Sequence, residues 1–336
     1  MKKDEFFMHR AIELAKLGTG WTNPNPLVGA VIVKNGKIIG EGYHHKYGEL
    51  HAERDALKNC AQNNENSFGA TMYVTLEPCC HTGKQPPCTQ AILESGIKKV
   101  FVGSRDPNPL VSGKGVQFLK ENNIEVEIDF LKDECDKINP IFFHYITKKM
   151  PYVALKFAMT IDGKIATKTG KSKWITGEKS REFVHELRHS YSAILAGIGT
   201  VLADDPMLNC RAEQIENTKN PVRIILDSNL KIPLESKIVQ TASEIRTIVV
   251  CLTSASNDYK AKLKEKKVEI WEFSSSPLPI DKILERLAQQ EKIDSVLVEG
   301  GSTINWSFVE SGFVNKIYCF VAPKIFGGNG KSSVLG

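Results

Sequence analysis

Apolar and polar residues in the first part of the chain follow a pattern that changes repeatedly between helical and strand spacing. Helical spacing predicts a first helix over 6–17 that ends at Gly18, and the apolar run 28–33 predicts a buried strand. The pair Asn35-Gly36 predicts a hairpin turn from that strand into the next. The same spacing rules predict further strands at 70–76, 99–103 and 124–128, and further helices at 51–57, 89–93 and 115–119. This alternation predicts a central, mostly parallel sheet covered by helices.

A second alternating pattern begins after a short polar segment that ends in proline. Residues 141–145 predict a last turn of helix, and residues 148–151 are typical of a linker. Later strands are predicted at 152–155, 193–196, 222–226, 247–251, 268–273, 295–298 and 317–321. Because a single core rarely grows past about 250–300 residues, the length of 336 residues agrees with two domains. We predict two α/β domains, at 1–146 and 150–336.

Composition and charge exclude several classes of protein. The chain has 25% charged and 41% hydrophobic residues, as folded globular proteins do. Its net charge of +5 is dispersed, so a nucleic-acid-binding tail is not expected. No apolar run reaches the roughly 18 residues of a membrane span, and Asp4 and Glu5 stand where a signal peptide needs apolar residues. We expect a cytoplasmic protein that binds neither nucleic acid nor membranes.

One histidine and two cysteines form the sharpest chemical signal. His51, Cys79 and Cys88 are ligand types that Zn²⁺ prefers, and three protein ligands leave one position open for water. Glu53 falls in the same helical turn as His51, where its carboxylate can move protons between that water and a leaving amine. This combination is the H-x-E and P-C-x-x-C arrangement of zinc deaminases. A closed zinc site that only holds the loop is the alternative.

The spacing of the cysteines departs from that arrangement. Eight residues, and not two, separate Cys79 from Cys88, and Cys80 and His81 lie between them. Cys79 follows Pro78 after a predicted strand, and Cys88 begins a predicted helix, where a thiolate is favoured. We therefore keep these two as ligands and place Cys80 and His81 in the intervening loop, with Gly83 in its turn. His81 is positioned to contact substrate.

A second histidine motif, H-E-x-x-H at 185–189, matches the zinc-binding helix of metalloproteases. No histidine follows His189, so a third ligand would have to be a carboxylate. Phe183 and Leu187 belong to the apolar stripe of the predicted helix, which leaves His185 and His189 on its polar face. We interpret the match as coincidental, with a metalloprotease as the alternative.

Several short motifs are spread over the whole chain. They are N-P-N-P-L-V-G-A-V at 23–31, H-A-E at 51–53, E-P-C-C-H-T-G at 77–83, P-P-C at 86–88, D-P-N-P at 106–109, K-F-A-M-T-I-D-G-K-I-A at 156–166, W-I-T at 174–176, T-V-L-A-D-D-P at 200–206, L-D-S at 226–228 and V-E-G-G at 298–301. Together they resemble the bifunctional riboflavin-biosynthesis deaminase–reductase family, whose zinc motif has this spacing of eight residues.

The resemblance implies a cytidine-deaminase-like N-terminal domain and a dihydrofolate-reductase-like C-terminal domain. The first would hydrolyse the 2-amino group of 2,5-diamino-6-ribosylamino-4(3H)-pyrimidinone 5′-phosphate, with one zinc per chain. The second would reduce the ribosyl group to ribityl with NADPH. Its partners would be this phosphorylated pyrimidine and further copies of the chain in a homo-oligomer.

The resemblance also implies the residues of the second site. NADPH contacts are implied for Ala158, Trp174, Thr200, Asp204, Ser228, Gly301, Ser302, Thr303, Ile304, Asn305, Trp306 and Ser307. Substrate contacts are implied for Ser172, Arg188, Leu208, Arg211 and Glu299. The two arginines suit a sugar phosphate because a guanidinium offers paired donors, although a solvated arginine is the alternative. Lys156 is a candidate to stabilise the open-chain imine or its charge.

The turn at 299–303 gives the second domain some support from the residues alone. It follows an apolar strand, and Gly300 and Gly301 allow close approach of a phosphate to a helix N-terminus. An ordinary tight strand–helix turn is the alternative. The chain ends at Gly336, whereas members of that family usually continue for a few dozen residues, so we expect either a short second domain or a truncated chain.

Two other interpretations stay open at this point. One is a nucleic-acid or nucleoside zinc deaminase with an unrelated C-terminal binding domain, which predicts a basic surface interleaved with aromatic residues. The other is a zinc-stabilised binding module without catalysis, which has no use for Glu53.

Overall fold

The chain divides into two structural units, Met1–Lys149 and Met150–Gly336. The computed structural model describes residues 3–82, 85–108, 111–172 and 174–336. Gly83 and Pro109, which belong to two of the sequence motifs, lie outside the described residues. The division falls inside the segment that the sequence predicts as a linker.

A five-stranded sheet forms the centre of the first unit. Its elements are α1 (Lys3–Lys16), β1 (Gly29–Lys34), β2 (Lys37–Tyr43), α2 (Ala52–Gln62), β3 (Thr71–Leu76), α3 (Cys88–Glu94), β4 (Lys99–Ser104), α4 (Lys114–Glu121), β5 (Glu125–Glu127), α5 (Lys132–Ile138) and α6 (Pro140–Lys148). The strand order is β2-β1-β3-β4-β5. The helices and strands predicted from spacing are confirmed, while α5 was not predicted.

The strand directions in this sheet correct one expectation. The β1–β2 and β1–β3 pairs are antiparallel and the β3–β4 and β4–β5 pairs are parallel, so the prediction of a mostly parallel sheet is wrong here. Asn35 and Gly36 have φ of 51° and 76°, the backbone that a two-residue hairpin requires. Such a tight turn returns the chain antiparallel, whereas the parallel pairs are joined through α3 and α4.

Close packing of α2 on β2 sets the position of the residues at the start of this helix. Gly42 faces the helix backbone, where an added Cβ would lie 2.2 Å from the Ala56 nitrogen. Ala52, Ala56 and Cys60 form the buried face of α2 against the core of the sheet. Because the helix lies so close to the sheet, His51 and Glu53 at its start are held near the ends of the central strands.

A seven-stranded sheet forms the centre of the second unit. Its elements are β6 (Tyr152–Thr160), β7 (Lys164–Ala166), α7 (Glu178–Ser190), β8 (Ala193–Gly197), α8 (Ile198–Asp204), β9 (Val222–Leu226), α9 (Lys237–Gln240), β10 (Thr247–Leu252), α10 (Asn257–Glu265), β11 (Glu269–Phe273), α11 (Ile280–Gln289), β12 (Ser295–Val298), α12 (Ser302–Glu310), β13 (Val314–Ala322) and β14 (Lys331–Ser332). The order is β11-β10-β9-β8-β12-β6-β13, and all its pairs are parallel. The predicted strands of this unit are confirmed.

Parallel pairing brings the carboxyl ends of four neighbouring strands, β9, β8, β12 and β6, to one edge of the sheet. In sheets of this kind ligands bind in the crevice beyond the carboxyl ends of the strands. Apolar side chains on both faces of the sheet are buried: Leu195, Ile224 and Val298 on one face and Ile194, Ile225 and Val249 on the other. The edge of this sheet is therefore the place to look for a second site.

Among the helices in the described part of the chain, none combines the length and the apolar character that a membrane-crossing segment requires.

Candidate active sites

Three predicted metal ligands come from the starts of two helices and a loop after a central strand. His51 directly precedes α2, Cys79 follows β3 by three residues, and Cys88 is the first residue of α3. Their ligand atoms all lie within 4.8 Å of one another. Within the described residues, they are the one group of three or more His, Cys, Asp or Glu side chains placed to hold a metal ion.

The distances in this group fit a tetrahedral zinc site. The Nδ1 atom of His51 lies 3.5 Å from Cys79 Sγ and 3.4 Å from Cys88 Sγ. Tetrahedral zinc with bonds of about 2.3 Å to sulfur and about 2.0 Å to nitrogen separates these atoms by about 3.5 Å. The thiol of Cys88 hydrogen-bonds to Cys79 and thereby lowers the pKa of the Cys79 thiol to about 4. Cys79 is therefore a thiolate at neutral pH, which is the form that binds a metal.

Glu53 lies beside these ligands and is not one of them. Its side chain is buried, with the residue only 3% exposed. Burial raises the pKa of this carboxyl above its ordinary value. A carboxyl group with a raised pKa gains and loses a proton more readily near neutral pH, which is what a general acid–base group needs.

The ligands open into a cavity of about 280 Å³ within the first unit. Two of the three ligands, His51 and Cys79, belong to its lining, whereas Cys88 is buried behind it. The lining residues come from five segments: Asn25, Pro26, Val28, His44, Tyr47, Gly48, Glu49, His51, Glu53, Leu76, Glu77, Cys79, His81, Gln85, Asp106, Asn108, Val111 and Phe142. A concave pocket with a few convergent polar groups is typical of small-molecule sites.

His44 in this lining has a defined protonation state. Its Nδ1 donates to the Leu50 carbonyl at 2.9 Å, because a carbonyl can only accept. Its Nε2 accepts from the Asn25 amide at 3.2 Å, so the ring is neutral. Burial lowers the pKa of His44 and favours the same neutral state. Asn25 and His44 therefore form a fixed polar pair on the cavity wall.

Glu77 is a residue whose function the sequence reasoning missed. Its buried carboxylate accepts four backbone N–H bonds, from Asp106, Gly113, Gly115 and Val116, at 3.0–3.4 Å. These donors bracket the segment that supplies Asp106, Asn108 and Val111 to the cavity. Glu77 thus fixes one wall of the cavity. The E-P-C motif contained the residue, but its partners are about thirty to forty positions away.

Arg54 was also missed, and it holds the segment that precedes Cys88. Its Nε donates to the Pro86 carbonyl at 3.2 Å and its Nη2 to the Pro87 carbonyl at 2.9 Å. Because Arg54 follows Glu53 on α2, it links the helix of one ligand to the loop of another.

The structure describes only part of the loop between Cys79 and Cys88. Cys80 is half-buried, and burial raises the pKa of its thiol, while it does not belong to the metal-holding group. His81 lines the cavity, and its buried Nδ1 atom has no partner among the described residues. The turn predicted at Gly83 falls outside the described residues.

A second cluster of charges lies in the second unit. Arg188 contacts Glu299 at two points, with Nε to Oε1 at 2.7 Å and Nη2 to Oε2 at 3.0 Å, and Lys156 Nζ lies 3.2 Å from Glu299 Oε2. Burial acts to raise the pKa of Glu299, but Arg188 and Lys156 outweigh it and lower that pKa to about 2. The structure thus brings three predicted residues together around one ionised carboxylate.

The predicted residues Leu208 and Arg211 lie in a loop attached to this cluster. Arg188 Nη1 donates to the Asn209 carbonyl at 3.0 Å, and Arg211 Nη1 donates to Asn209 Oδ1 at 2.7 Å. Leu208 is buried, whereas Arg211 is exposed. Ser172 lies in the loop between β7 and α7.

The predicted cofactor residues stand at the carboxyl ends of the four neighbouring strands. Ala158 is on β6, on the same face as Lys156, and Ser228 follows β9 by two residues. Thr200 and Asp204 are on α8 directly after β8, and the segment 301–307 begins α12 after β12. This is the edge at which ligands bind to parallel sheets.

The start of α12 is open on one side and packed on the other. An added Cβ at Gly301 would meet no atom within 4 Å, whereas one at Gly300 would lie 2.6 Å from Ile304 Cβ. Ser302 Oγ donates to the Ser332 carbonyl, and Asn305 Nδ2 donates to the Ser333 carbonyl at 2.8 Å. Ile304 and Asn305 therefore pack or bond within the protein, and the open space is at Gly301.

The remaining predicted cofactor residues are exposed or half-buried. Trp174 is 65% exposed, with the Arg181 guanidinium over its ring at 4.8 Å and its carbonyl bound by Lys324. Thr303 is exposed, and Trp306 and Ser307 are half-buried on α12.

Two protein families match the chain, one in each of its two structural units. Residues 1–104 match the family described as "Cytidine and deoxycytidylate deaminase zinc-binding region", and residues 151–336 match the family described as "RibD C-terminal domain". The first match contains all three predicted zinc ligands and Glu53, and the second contains the cluster around Glu299.

Similar proteins extend over nearly the whole chain. Riboflavin biosynthesis protein RibD of Actinobacillus pleuropneumoniae is 52% identical over 98% of this chain and 86% of the relative. The protein of that name from Aquifex aeolicus is 49% identical over 96% of this chain and 88% of the relative.

Solved structures of similar proteins superpose on nearly the whole chain. Acinetobacter baumannii RibD superposes with a TM-score of 0.90 at 40% identity, covering 100% of this chain and 91% of that one. The Thermotoga maritima diaminohydroxyphosphoribosylaminopyrimidine deaminase/5-amino-6-(5-phosphoribosylamino)uracil reductase superposes with a TM-score of 0.86 at 43% identity, covering 99% and 91%. The cytidine-deaminase-like and dihydrofolate-reductase-like domains are thereby confirmed. The chain therefore belongs to the RibD family of bifunctional deaminase–reductases of riboflavin biosynthesis.

Proposed function

We propose that the two activities are carried by separate parts of the chain, the zinc-dependent deaminase by 1–146 and the NADPH-dependent reductase by 150–336. The substrate is 2,5-diamino-6-ribosylamino-4(3H)-pyrimidinone 5′-phosphate, and the final product is 5-amino-6-ribitylamino-uracil 5′-phosphate. The substrates named for the Thermotoga maritima relative support this assignment. The observation that carries it is the group of His51, Cys79 and Cys88 with the buried Glu53 beside it.

His51, Cys79 and Cys88 hold one zinc ion per chain, because one nitrogen and two sulfurs at these separations match its preferred ligands. When bound, zinc acts as a Lewis acid that lowers the pKa of water. The ligands come from elements fixed by packing and by Arg54, so the site is preformed.

Glu53 is the catalytic group of the deaminase. Its carboxylate takes a proton from the attacking water and donates it to the ring nitrogen. It then takes the remaining proton of the added hydroxyl group and gives it to the amine, which leaves as ammonia as the carbonyl forms. The raised pKa supports this sequence, since the same group must act first as base and then as acid. His81, whose buried Nδ1 is unpaired among the described residues, and the Asn25–His44 pair supply polar contacts to the pyrimidine.

The reductase uses the crevice at the carboxyl ends of β9, β8, β12 and β6. NADPH supplies the hydride when bound, and its contacts are Ala158, Trp174, Thr200, Asp204, Ser228 and the segment 301–307. The open space at Gly301 at the start of α12 supports a phosphate at this point. Lys156 donates a proton to the nitrogen of the open-chain imine as its carbon is reduced, and Glu299 keeps the ammonium in place.

The substrate contacts of the reductase are Ser172, Arg188, Leu208, Arg211 and Glu299. Three N–H groups of Arg188 are already bound to Glu299 and Asn209, so this arginine mainly orients those two residues. Arg211 is exposed and is the better ligand for the sugar phosphate. We also propose, from the family resemblance, that the partners are a phosphorylated pyrimidine and further copies of this chain in a cytoplasmic homo-oligomer.

One assay tests both halves of the proposal. The purified protein is incubated with the diaminopyrimidine phosphate, with and without NADPH, and ammonia release and NADPH oxidation are followed. We expect ammonia release without NADPH, and NADPH oxidation only after deamination or with supplied deaminated intermediate. Loss of ammonia release after chelation, with its return on adding Zn²⁺, ties the first step to the metal. Ammonia release that survives complete metal removal contradicts it.

A further inference from the structure

The H-E-x-x-H motif of α7 binds backbone groups of the loop that precedes β9. His185 Nδ1 accepts the N–H of Arg211 at 3.1 Å, and His189 Nδ1 accepts the N–H of Lys219 at 3.0 Å. Because a backbone N–H only donates, both Nδ1 atoms are unprotonated. The two histidines are four residues apart and therefore lie on one face of the helix. One face of α7 therefore binds the loop at two backbone positions, Arg211 and Lys219.

We propose that this histidine pair is a loop clamp and that His185 is the positioning residue for Arg211 in the reductase reaction. His185 acts on the substrate phosphate only through Arg211, whose backbone it fixes. The proposal rests on the proposed function, since it takes Arg211 as the phosphate ligand.

Neighbouring contacts fix the rest of this loop on the same helix. The Cys210 thiol donates to the His185 carbonyl at 3.1 Å, and Arg188 Nη1 donates to the Asn209 carbonyl at 3.0 Å. Asn209 Oδ1 then accepts from Arg211 Nη1 at 2.7 Å. His185 therefore sets the backbone of Arg211 while Asn209 directs its guanidinium, and Arg188 joins both to Glu299.

The charge around His185 keeps it in the accepting form. Burial, together with the positive charges of Arg188 and Arg211, lowers its pKa to about 4, although Glu299 acts in the opposite direction. At neutral pH the ring is therefore uncharged, and its Nδ1 remains available to the Arg211 N–H. The positive charges that favour an anion beside Arg211 therefore also keep His185 neutral and able to accept the Arg211 N–H.

The metalloprotease interpretation of the motif does not fit these contacts. Each Nδ1 accepts a backbone N–H, so the ring proton of each histidine is on Nε2 and neither ring has a nitrogen left to bind a metal. Neither histidine belongs to the metal-holding group found among the described residues. His189 is buried, with 3% of its surface exposed. The H-E-x-x-H motif therefore positions the loop that precedes β9.

The test compares three single variants in the reductase step with supplied deaminated intermediate. His185→Ala removes the acceptor, His185→Asn places an amide oxygen near the position of Nδ1, and Glu186→Gln is the matched control inside the motif. For His185→Ala we expect KM for the phosphorylated intermediate to rise about tenfold, with kcat and the KM for NADPH nearly unchanged. His185→Asn should restore most of that loss, and Glu186→Gln should match the wild type.

A double-mutant cycle shows whether His185 acts through Arg211. Arg211→Ala alone should raise KM for the phosphorylated intermediate, and adding His185→Ala to it should change KM little further. An intermediate without its phosphate should be insensitive to both changes. Additive effects, an equal loss of kcat, or an unchanged KM in His185→Ala overturns the proposal.

A measurement without turnover separates this proposal from the proposed function. Amide hydrogen exchange in the full chain should become faster at Arg211 in His185→Ala and return to the wild-type rate in His185→Asn. If the wild type does not oxidise NADPH with the intermediate, the proposed function fails, and the exchange rates still decide whether the clamp exists. Unchanged exchange at Arg211 in His185→Ala refutes the clamp itself.

Discussion

Arg188 and Glu299 form a two-point ion pair, with nitrogen–oxygen distances of 2.7 and 3.0 Å, at the carboxyl edge of the reductase sheet. Both side chains are largely buried, at 13% and 9% exposed. Lys156 adds a second positive charge on the same carboxylate. The group therefore carries one net positive charge out of water beside the loop of Arg211, where the phosphorylated substrate that we propose would supply the balancing negative charge.

The ion pair leads to a pH-dependent effect on stability. Glu299→Gln leaves two buried positive charges without their partner, so the free energy of unfolding should fall by about 3 kcal/mol at pH 7. The pKa of Glu299 is lowered from 4.5 to about 2 on folding, so its ionised form stabilises the fold above about pH 4.5. The difference between variant and wild type should shrink as the pH falls from 4.5 towards 2. Urea unfolding followed by tryptophan fluorescence measures it.

The reductase unit dominates that signal because Trp174, Trp271 and Trp306 belong to it and only Trp21 to the first unit. Glu310→Gln, at an exposed position of α12, is the matched control and should leave the unfolding midpoint unchanged. A difference for Glu299→Gln that is constant with pH would mean that lost packing, and not charge, causes the instability.

Zinc content should discriminate among the neighbouring cysteines. Cys79→Ser and Cys88→Ser each remove a sulfur from the metal-holding group and should release zinc, while Cys80→Ser should retain it. His189→Ala should also retain it, because that histidine binds the Lys219 N–H. Metal analysis of the dialysed proteins gives the answer. Zinc lost from Cys80→Ser but kept in Cys79→Ser would reverse the ligand assignment.

Glu77 should affect deamination only by fixing one wall of the cavity. In Glu77→Gln an amide NH₂ replaces one acceptor oxygen and faces backbone N–H groups, so at least one of the four bonds is lost. We expect KM for deamination to rise about tenfold while NADPH oxidation with supplied intermediate is unchanged. Initial rates of both reactions check this. Glu121→Gln, at the other end of α4, should behave as the wild type, and a loss confined to kcat would argue against a positioning role.

The metal-holding group could be predicted from the sequence because each of its residues stands at or near the end of a recognisable helix or strand. The strand before Cys79 and the helix that begins at Cys88 have clear apolar spacing, so both ends could be placed. The helix α5, by contrast, buries only Cys135 and has no apolar stripe, so spacing could not reveal it. Strand direction also escaped prediction, because periodicity contains no information on the partner of a strand.

Contacts between distant segments are the part that the sequence did not supply. Glu77 binds backbone N–H groups 29 to 39 residues away, and backbone donors have no sequence signal. The H-E-x-x-H motif illustrates the same limit, because its partners are the N–H groups of Arg211 and Lys219. Side-chain types indicated which chemistry was possible, but only the fold shows which groups are already bound.

The two activities should separate by mutation. Glu53→Gln removes the group that we propose moves protons in the deaminase. General acid–base groups contribute about 10²–10⁴-fold, so ammonia release should fall by at least about a hundredfold. The amide has nearly the same size, so zinc content and folding should persist, and NADPH oxidation with supplied intermediate should remain. Conversely, Gly301→Val adds a side chain in open space at the start of α12, so the fold should tolerate it while the cofactor phosphate is displaced. That variant should lose NADPH oxidation and keep ammonia release. Loss of NADPH oxidation in Glu53→Gln, with zinc and folding intact and intermediate supplied, would show that the two reactions share a catalytic group.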